Sequence, residues 1–589
     1  MNKIYALVFF FLPLFILAQT RINNTIIDAK TKQVLTYCNV YNNTLGNGVI
    51  SNADGQFSIE INSLNDIISF SFLSYETRNI TAKEINQYHT ISLKQKQYQL
   101  QEIEIHSDND YLYEALVNCR KMLKKSKREQ ISKAFFILNT STNQQPLEIL
   151  ECYYNAYQKA GKLDDLYQKN GRFALLPLDS RIFLNLSTTR VLHMINLQKE
   201  NELLPSIILQ FNKRDMKKRY RVKLEYSDSS LYKISFSSLE NKNNLFAGEI
   251  WLNKNTYYIK KISLNVQNTT KHPFVALGGD SLRNISLQIS YTFSENDKAI
   301  KIKHMEFNMQ MNYNSQRVAS IDNKPQKLKR DLEISTILYF YDFGNPFLLP
   351  YFDYDNNYRD YRKISIIPYN KTFWENRKLL LTKEQKDNIA LMKDDGLFIN
   401  YDQNNYGKNF MKKESKESNL HSNGFWEHLS HLFWSPEERI TFNDIFIIQQ
   451  NPPSHPYSGF TSDQYDFKVQ IFLDINPING VYNCQSYTIL DLTKTFYYLE
   501  TNEYSNAFVN IYFDICEIER QKMEKQLLIH NKSLDQINSI YKQTLLDIAE
   551  ITYTYKKEVQ AGKNTLMLKK WNNYVLNELG IDNLSASQH

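Results

Sequence analysis

The alternation of hydrophobic and polar residues changes twice along the chain, and it predicts three kinds of structure. From Arg21 to about Gln101, short alternating runs are separated by turn residues, which is typical of a small antiparallel β domain. Longer alternating runs from about 132 to 343 predict an antiparallel β meander with one buried face. Beyond about 500 the apolar spacing becomes three and four residues, which predicts helices near 505–530, 533–559 and 564–579.

The first of these helices contains a distinctive stretch, Phe508 to Leu527. Its apolar residues share one helical face: Phe508, Ile511, Tyr512, Ile515 and Ile518. Its charged residues predict a solvent-exposed face: Glu517, Glu519, Arg520, Lys522, Glu524 and Lys525. Together the three patterns predict a multidomain, mainly β protein with an α+β C-terminal domain.

Composition bounds the function. A chain of 589 residues suggests roughly three or four domains. The net charge of +7, from 70 basic and 63 acidic residues, gives no electrostatic support to a nucleic-acid partner. The five cysteines are scattered and odd in number, so they predict neither a disulfide framework nor a metal site.

The N-terminal eighteen residues predict export. A basic residue, Lys3, precedes an apolar run from Ala6 to Leu17, and the small residue Ala18 follows it, which is a secretory signal pattern. No later segment approaches about 18 uninterrupted apolar residues, so we expect no helical membrane span. The mature protein would begin at Gln19 and lie in the periplasm, at the outer-membrane surface or outside the cell.

The first β segment carries a specific set of turn and strand residues: Gly48, Ser51, Asn52, Asp54, Gly55, Phe57 and Tyr75. Asp54-Gly55 indicates a turn that needs a positive φ, and Phe57 begins the next strand. These residues resemble the carboxypeptidase-regulatory-like β-sandwich, of transthyretin-like topology, found in exported proteins of the Bacteroidetes type. The resemblance implies a Greek-key β-sandwich over 19–105 that has no catalytic residues and serves as an accessory or docking module.

The middle of the chain, 106–345, is predicted to be a basic amphipathic helix followed by the β meander. Its segment Gly248–Lys254 resembles the strand-turn-strand unit of envelope proteins with a lipoprotein-carrier-like half-barrel. That resemblance implies a concave face for an apolar ligand, and the alternative is a sheet closed over its own core. Residues 346–434, rich in Tyr, Asn, Asp and Lys, are predicted to be an irregular linker region.

The C-terminal part, 435–589, resembles a family of predicted bacterial zinc peptidases. The helix of that family reads His-Glu-x-x-His-Phe-Asp-Ile, and this chain keeps its end as Phe513-Asp514-Ile515, followed by Glu517 and Arg520. In a zincin the two His hold zinc and the Glu is the general base.

The resemblance places these roles at positions that cannot perform them. The helix positions are Phe508, Val509 and Tyr512, and the third ligand falls on Ala561. Phe, Val and Ala offer no ligand atom, and a Tyr phenol is a rare zinc ligand. The resemblance therefore implies zincin-like helices in a pseudoenzyme, with no catalytic residues, metal or cofactor.

The leading hypothesis is thus a binding or scaffolding protein of the bacterial cell envelope, whose partner is an envelope protein or a glycan or lipid ligand. Two alternatives remain open. One is an active envelope hydrolase or metallopeptidase built from other residues, among them His421, His428, His431 and His455. The other is a carrier that holds an apolar ligand in the middle β domain.

Overall fold

The computed structural model describes most of the chain, and every structural statement below concerns these residues: 20–72, 75–96, 109–126, 128–143, 145–176, 186, 189–239, 244–276, 279–296, 299–321, 324–376, 381–395, 397–399, 430–442, 464–478, 480–529 and 532–585. The predicted signal peptide, 1–18, lies outside them. The chain divides into two compact units. The first comprises Met1–Ile103 and Arg377–Asn388, and the second comprises Glu104–Asn376 and Ile389–His589.

The first unit is a β-sandwich, as predicted. Its elements are β1 (Thr20–Asp28), β2 (Asn39–Asn42), β3 (Asn47–Ile50), β4 (Gln56–Ile61), β5 (Ile67–Ser71), β6 (Arg78–Thr81), α1 (Ala82–Ile85) and β7 (Ile91–Leu93). One sheet has the order β4-β1-β7 and the other β3-β2-β5-β6, so the chain crosses between the sheets after β1, β3, β4 and β6. Buried residues such as Ile26, Phe57 and Phe70 form one core between them.

The second unit is built on an eleven-stranded sheet, which confirms the predicted antiparallel meander. Its strands are β8 (Gln130–Thr142), β9 (Gln145–Lys159), β10 (Lys162–Leu175), β11 (Tyr220–Ser227), β12 (Leu231–Ser238), β13 (Ala247–Asn253), β14 (Ile259–Val266), β15 (Ser281–Asn296), β16 (Ala299–Ile321), β17 (Lys324–Tyr341) and β18 (Leu397–Ile399). They are ordered β11-β12-β13-β14-β15-β16-β17-β8-β9-β10-β18. Strands β11 to β17 form one meander and β8 to β10 another. Because β17 pairs with β8, these two meanders form one continuous sheet.

One face of this sheet is covered by helices that precede or interrupt it. These are α2 (Asp110–Lys125), α3 (Thr189–Met194), a 3₁₀ turn (Ile208–Gln210) and α4 (Lys213–Arg219). The apolar stripe of α2 includes Leu112, Leu116 and Cys119, which are fully buried in the same core as sheet residues. That face is therefore packed core.

The prediction of a single buried face fails for β8 to β10. Strands such as β11 and β14 alternate buried and more exposed residues, whereas β9 is buried at almost every position. The reason is a second cover: Phe347, Phe373 and Trp374 pack around Tyr153 of β9, with ring centroids 6.1, 5.1 and 5.3 Å away. These three rings belong to the segment predicted to be a linker, which contains α5 (Asp360–Ile366), α6 (Lys371–Asn376) and α7 (Lys383–Asp395).

A buried ion pair joins the sheet to the C-terminal part. The ammonium of Lys169, on β10, donates to the carboxylate of Asp474 and to the carbonyls of Leu348 (2.6 Å) and Ile475 (3.2 Å). The other carboxylate oxygen of Asp474 accepts from the amides of Asn370 and Asn476, each at 2.9 Å. Both charged side chains are 1% exposed, and full hydrogen bonding offsets the cost of burying them. Nothing in the sequence pattern predicted this contact.

The C-terminal part is α+β, as predicted. Its elements are β19 (His431–Phe433), β20 (Tyr465–Asp466), β21 (Val469–Ile478), β22 (Val481–Asp491), β23 (Phe496–Tyr497), α8 (Ser505–Leu528), α9 (Leu534–Val559) and α10 (Thr565–Leu579). The small sheet has the order β19-β22-β21, and α8 shares one hydrophobic core with residues of β22, α9 and α10. Gly580 ends α10 in the left-handed conformation, at φ 72°. Across the described helices, none is both long enough and apolar enough to span a membrane.

Candidate functional site

The four positions that the sequence resemblance assigns to a degenerate metal site lie together in one hydrophobic cluster. Phe508, Val509 and Tyr512 lie on the buried side of α8, and Ala561 lies in the turn between α9 and α10. None of the four is more than 7% exposed.

Aromatic rings fill the space around these positions. The ring of Phe508 stacks on Tyr555 of α9, with centroids 5.5 Å apart, and meets the rings of Tyr465 and Phe467 at 5.4 and 5.6 Å. Tyr512 lies 5.2 Å from Phe467. The hydroxyl of Tyr555 donates to the carbonyl of Phe508 at 2.8 Å. We call these five residues, 465, 467, 508, 512 and 555, the aromatic cluster.

The aromatic cluster offers little chemistry. Burial raises the pKa of Tyr512, so its hydroxyl stays a neutral phenol. Burial likewise raises the pKa of Cys516, one turn further along, which keeps that thiol protonated and unreactive. Within the described part of the chain, no three His, Cys, Asp or Glu side chains lie close enough to hold a metal ion.

The polar residues that follow on α8 serve to anchor it. The carboxylate of Asp514 is fully buried and accepts from Trp434 Nε1 (2.7 Å), Arg439 (2.6 Å) and Asn583 Nδ2 (2.7 Å). It therefore ties the helix to the segment before it and to the C-terminal end of the chain.

The predicted exposed face of α8 is wrong for three of its charged residues. Glu517, Glu519 and Arg520 are 3%, 8% and 9% exposed. Arg520 pairs with Glu517 at 2.7 Å, and Glu517 also accepts from the hydroxyl of Thr488 on β22. These charges are buried because α8 lies between the small sheet and the other two helices. The residue pattern within one helix could not reveal this burial.

The histidines of the hydrolase alternative are only partly described. His421, His428 and His455 lie outside the described residues. His431, on β19, is buried, with Nδ1 3.0 Å from Ser430 Oγ and Nε2 3.8 Å from Asp491. Burial lowers its pKa to about 4, so this imidazole is neutral at pH 7.

The predicted residues of the β-sandwich form its turns and core. Ser51 is buried, donating to the carbonyl of Leu35 (2.7 Å) and accepting from the amide of Cys38 (2.9 Å). Asn52 Oδ1 accepts from the amides of Asp54 (3.0 Å) and Gln56 (2.8 Å), which shapes the turn.

The remaining members of that set also have structural roles. Gly55 has φ 72°, and a Cβ there would lie 2.8 Å from a backbone oxygen, so the turn requires glycine. Gly48 approaches the ring of Tyr41, and Phe57 packs edge-on to Phe70 at 5.3 Å.

Tyr75 closes a small polar network with the first strand. Its hydroxyl donates to Asp28 at 2.5 Å, and this bond is the main reason that the pKa of Asp28 falls to about 2. The other oxygen of Asp28 accepts from the amides of Lys30 and Thr31, both at 2.7 Å. The network stabilises a turn at the end of β1.

A different site, which sequence reasoning missed, opens between the start of β10 and the segment 189–201. It is a cleft of about 520 Å³, here called the basic cleft, lined by Lys162, Arg190, His193, Met194, Asn196, Lys199, Glu200 and Asn201. No motif marked it, because its residues come from two separate segments and each is ordinary alone.

The charges of the basic cleft are unbalanced. Among the lining residues there are three cations, Lys162, Arg190 and Lys199, and one carboxylate, that of Glu200, which accepts from the hydroxyl of Ser206 at 2.8 Å. Burial lowers the pKa of His193, and its Nδ1 is buried with no hydrogen-bond partner among the described residues.

Comparison with known families matches one part of the chain. Residues 22–105 match the family described as the CarboxypepD_reg-like domain, which agrees with the sandwich and its turn residues. No curated protein matches the chain.

Three solved structures show a weak likeness to part of this chain. The Pseudomonas aeruginosa MucA/MucB complex has 8% identity and a TM-score of 0.14, covering 38% of this chain and 94% of that one. A LolA superfamily protein from Nitrosomonas europaea has 10% identity and a TM-score of 0.14, covering 41% and 98%. A membrane-associated protein of unknown function from Bacteroides fragilis has 10% identity and a TM-score of 0.11, covering 55% and 98%. At these TM-scores the likenesses carry no argument about fold or function.

Proposed function

We propose that this is an exported cell-envelope protein with a binding or scaffolding role, of Bacteroidetes type, and that its C-terminal part is a peptidase-like domain without activity. In this view the sandwich is a docking module, and the second unit presents a binding surface to an envelope protein, a glycan or a lipid. The protein would act in the periplasm or at the outer-membrane surface.

The observation that carries this proposal is the aromatic cluster. By the sequence resemblance, Phe508, Tyr512 and Ala561 align with the zinc ligands of the peptidase family and Val509 aligns with its general base. All four residues belong to one hydrophobic cluster. These side chains are buried against rings that leave α8 well packed. The Asp514 and Glu517 contacts would then be the part of the ancestral frame that still holds the helix in place.

The test is zinc content and peptide hydrolysis by the natural protein from Gln19, purified without chelators. We expect no stoichiometric zinc and no hydrolysis of casein or of a mixed peptide library. Stoichiometric zinc, or hydrolysis that a chelator abolishes, would overturn the proposal and favour the hydrolase alternative. Single substitution of His421, His428, His431 and His455 would then locate the site.

The outcome of this test depends only on measurements of the natural protein. A companion variant with Phe508→His, Val509→Glu, Tyr512→His and Ala561→His asks whether the frame can regain metal. Uptake of about one zinc per chain would support descent from a zinc peptidase.

The carrier alternative has less support. The sheet face that would receive an apolar ligand is occupied by α2, whose residues Leu112, Leu116 and Leu123 are fully buried there. An apolar ligand would have to displace this helix from the core.

A further inference from the structure

We propose that the basic cleft binds a ligand carrying an oxyanion group, a phosphate or a carboxylate, with Arg190, Lys199 and Lys162 supplying the positive charge. The proposal specifies which ligand chemistry one surface of the binding protein would recognise, and it rests on the binding function proposed above. It involves none of the residues of the aromatic cluster.

The size of the cleft is the first argument. A volume of about 520 Å³ lies within the range of small-molecule sites, which is roughly 300–1,000 Å³. The wall is mixed: Met194 offers an apolar surface beside the amides of Asn196 and Asn201. Such a wall suits an organic anion better than a bare ion.

The second argument is that the cations of the cleft are weakly neutralised. Lys162 pairs with Asp164 at 3.2 Å, and both side chains are about one-third exposed. Lys199 is exposed and forms no ion pair with any described residue. Arg190 donates to the backbone carbonyl of Asn357 at 2.5 Å and likewise has no carboxylate partner in the described part of the chain. Exposed ion pairs of the Lys162 type contribute little, so an anion could compete for that ammonium.

The third argument is that Arg190 also acts on a neighbouring cation, Lys363 of α5. Lys363 is half-buried; burial lowers its pKa most, the carboxylate of Asp360 raises it, and Arg190 makes a smaller lowering contribution. An oxyanion bound beside Arg190 would oppose this repulsion between the two cations. Charge-assisted hydrogen bonds to an oxyanion are among the strongest that Lys and Arg form.

His193 makes the site responsive to pH. The charged groups that act on it are Asp165 and Asp360, which favour its protonated form, and Lys162, which disfavours it, while burial outweighs them all. A bound anion would favour the protonated ring, so binding would take up a proton. Affinity should therefore rise as pH falls from about 7.5 towards about 5.5, the range in which a histidine titrates.

The experiment is calorimetric titration of the mature protein with inorganic sulfate and phosphate at constant ionic strength. Sulfate is the probe for the pH series because it does not itself titrate in this range. Lys199→Met should weaken binding roughly tenfold or more, the loss of one charge-assisted hydrogen bond. The matched control is Lys542→Met, which removes another exposed lysine, on α9, and it should bind like the natural protein.

His193→Gln should bind at high pH but lose the increase at low pH. Equal binding by Lys199→Met and Lys542→Met, or no binding of either anion, would overturn the proposal whatever the zinc measurement shows.

Vesicles identify the source of the anion. Binding to phosphatidylglycerol vesicles but not to phosphatidylcholine vesicles, lost in Lys199→Met, would indicate a lipid headgroup. Binding of phosphate without binding to either vesicle would indicate a soluble anion. Both outcomes support an oxyanion site.

Discussion

The aromatic cluster and the basic cleft lie in the same compact unit, yet their side chains meet opposite surroundings. In the aromatic cluster four of the five side chains are buried and Tyr465 is half-buried. The one polar group of the four predicted positions, the hydroxyl of Tyr512, is held neutral by burial. In the basic cleft three cations reach an open volume with one carboxylate among them. The comparison teaches that the place where a motif suggests chemistry can be structural, whereas a binding surface can form from residues without any motif.

The largest expected effect is on the aromatic cluster. Phe508→Ala should lower the free energy of unfolding by about 3–5 kcal/mol, because it removes a fully buried ring and leaves a cavity among aromatic neighbours. Urea unfolding followed by tryptophan fluorescence measures it, since Trp571 lies 5.5 Å from Tyr555. The matched control, Leu528→Ala, removes an apolar side chain that is 79% exposed on the same helix. A loss for Phe508→Ala no larger than that of the control would mean that the cluster is not close-packed.

An intermediate effect on the free energy of unfolding should come from His431, a buried histidine outside the basic cleft. Its pKa in the folded protein is about 4 against 6.5 when unperturbed, so the unfolded chain takes up a proton at a higher pH than the folded protein does. The stability is therefore complete above about pH 6.5 and falls by up to about 1.4 kcal/mol per pH unit as the pH drops towards about 4.

Urea unfolding at a series of pH values measures this slope. His431→Gln should flatten it, whereas substitution of the exposed His89 by Gln should leave it unchanged. An unaltered slope in His431→Gln would assign the acid sensitivity to other groups.

The smallest effect is expected in the basic cleft. Lys199→Met should change the free energy of unfolding by less than about 0.5 kcal/mol, because Lys199 is exposed and makes no ion pair with the described residues. Thermal unfolding without added anion measures this. A large loss of stability would show that Lys199 supports the fold, and its effect on anion binding would then need to be separated from unfolding.

Local signals in the sequence predicted the elements well. Apolar spacing gave α8, α9 and α10 to within about two residues, since helix ends are set by nearby residues such as Gly580. Turn chemistry gave the sandwich, because Asp54-Gly55 requires one backbone conformation whatever surrounds it.

Long-range contacts were beyond the same reasoning. The buried Glu517–Arg520 pair has the spacing of an exposed helical pair, and only the approach of Thr488 from β22 buries it. Strand β9 is buried at almost every position in the structure, because Phe347 and Trp374 cover its second face. The sequence pattern did not predict this cover. The basic cleft depends on bringing Lys162 beside Lys199, which no periodicity describes.

The Lys169–Asp474 pair also has a consequence for the order in which the chain folds. The two residues are separated by 305 positions, so a chain that emerges N-terminus first must keep the Lys169 ammonium hydrated until the β21 hairpin arrives. Closing so large a loop is slow, and a chain cut before Asp474 would bury an unmatched positive charge beneath Phe373. The sheet around Lys169 therefore reaches its final packing only after the C-terminal part has been made.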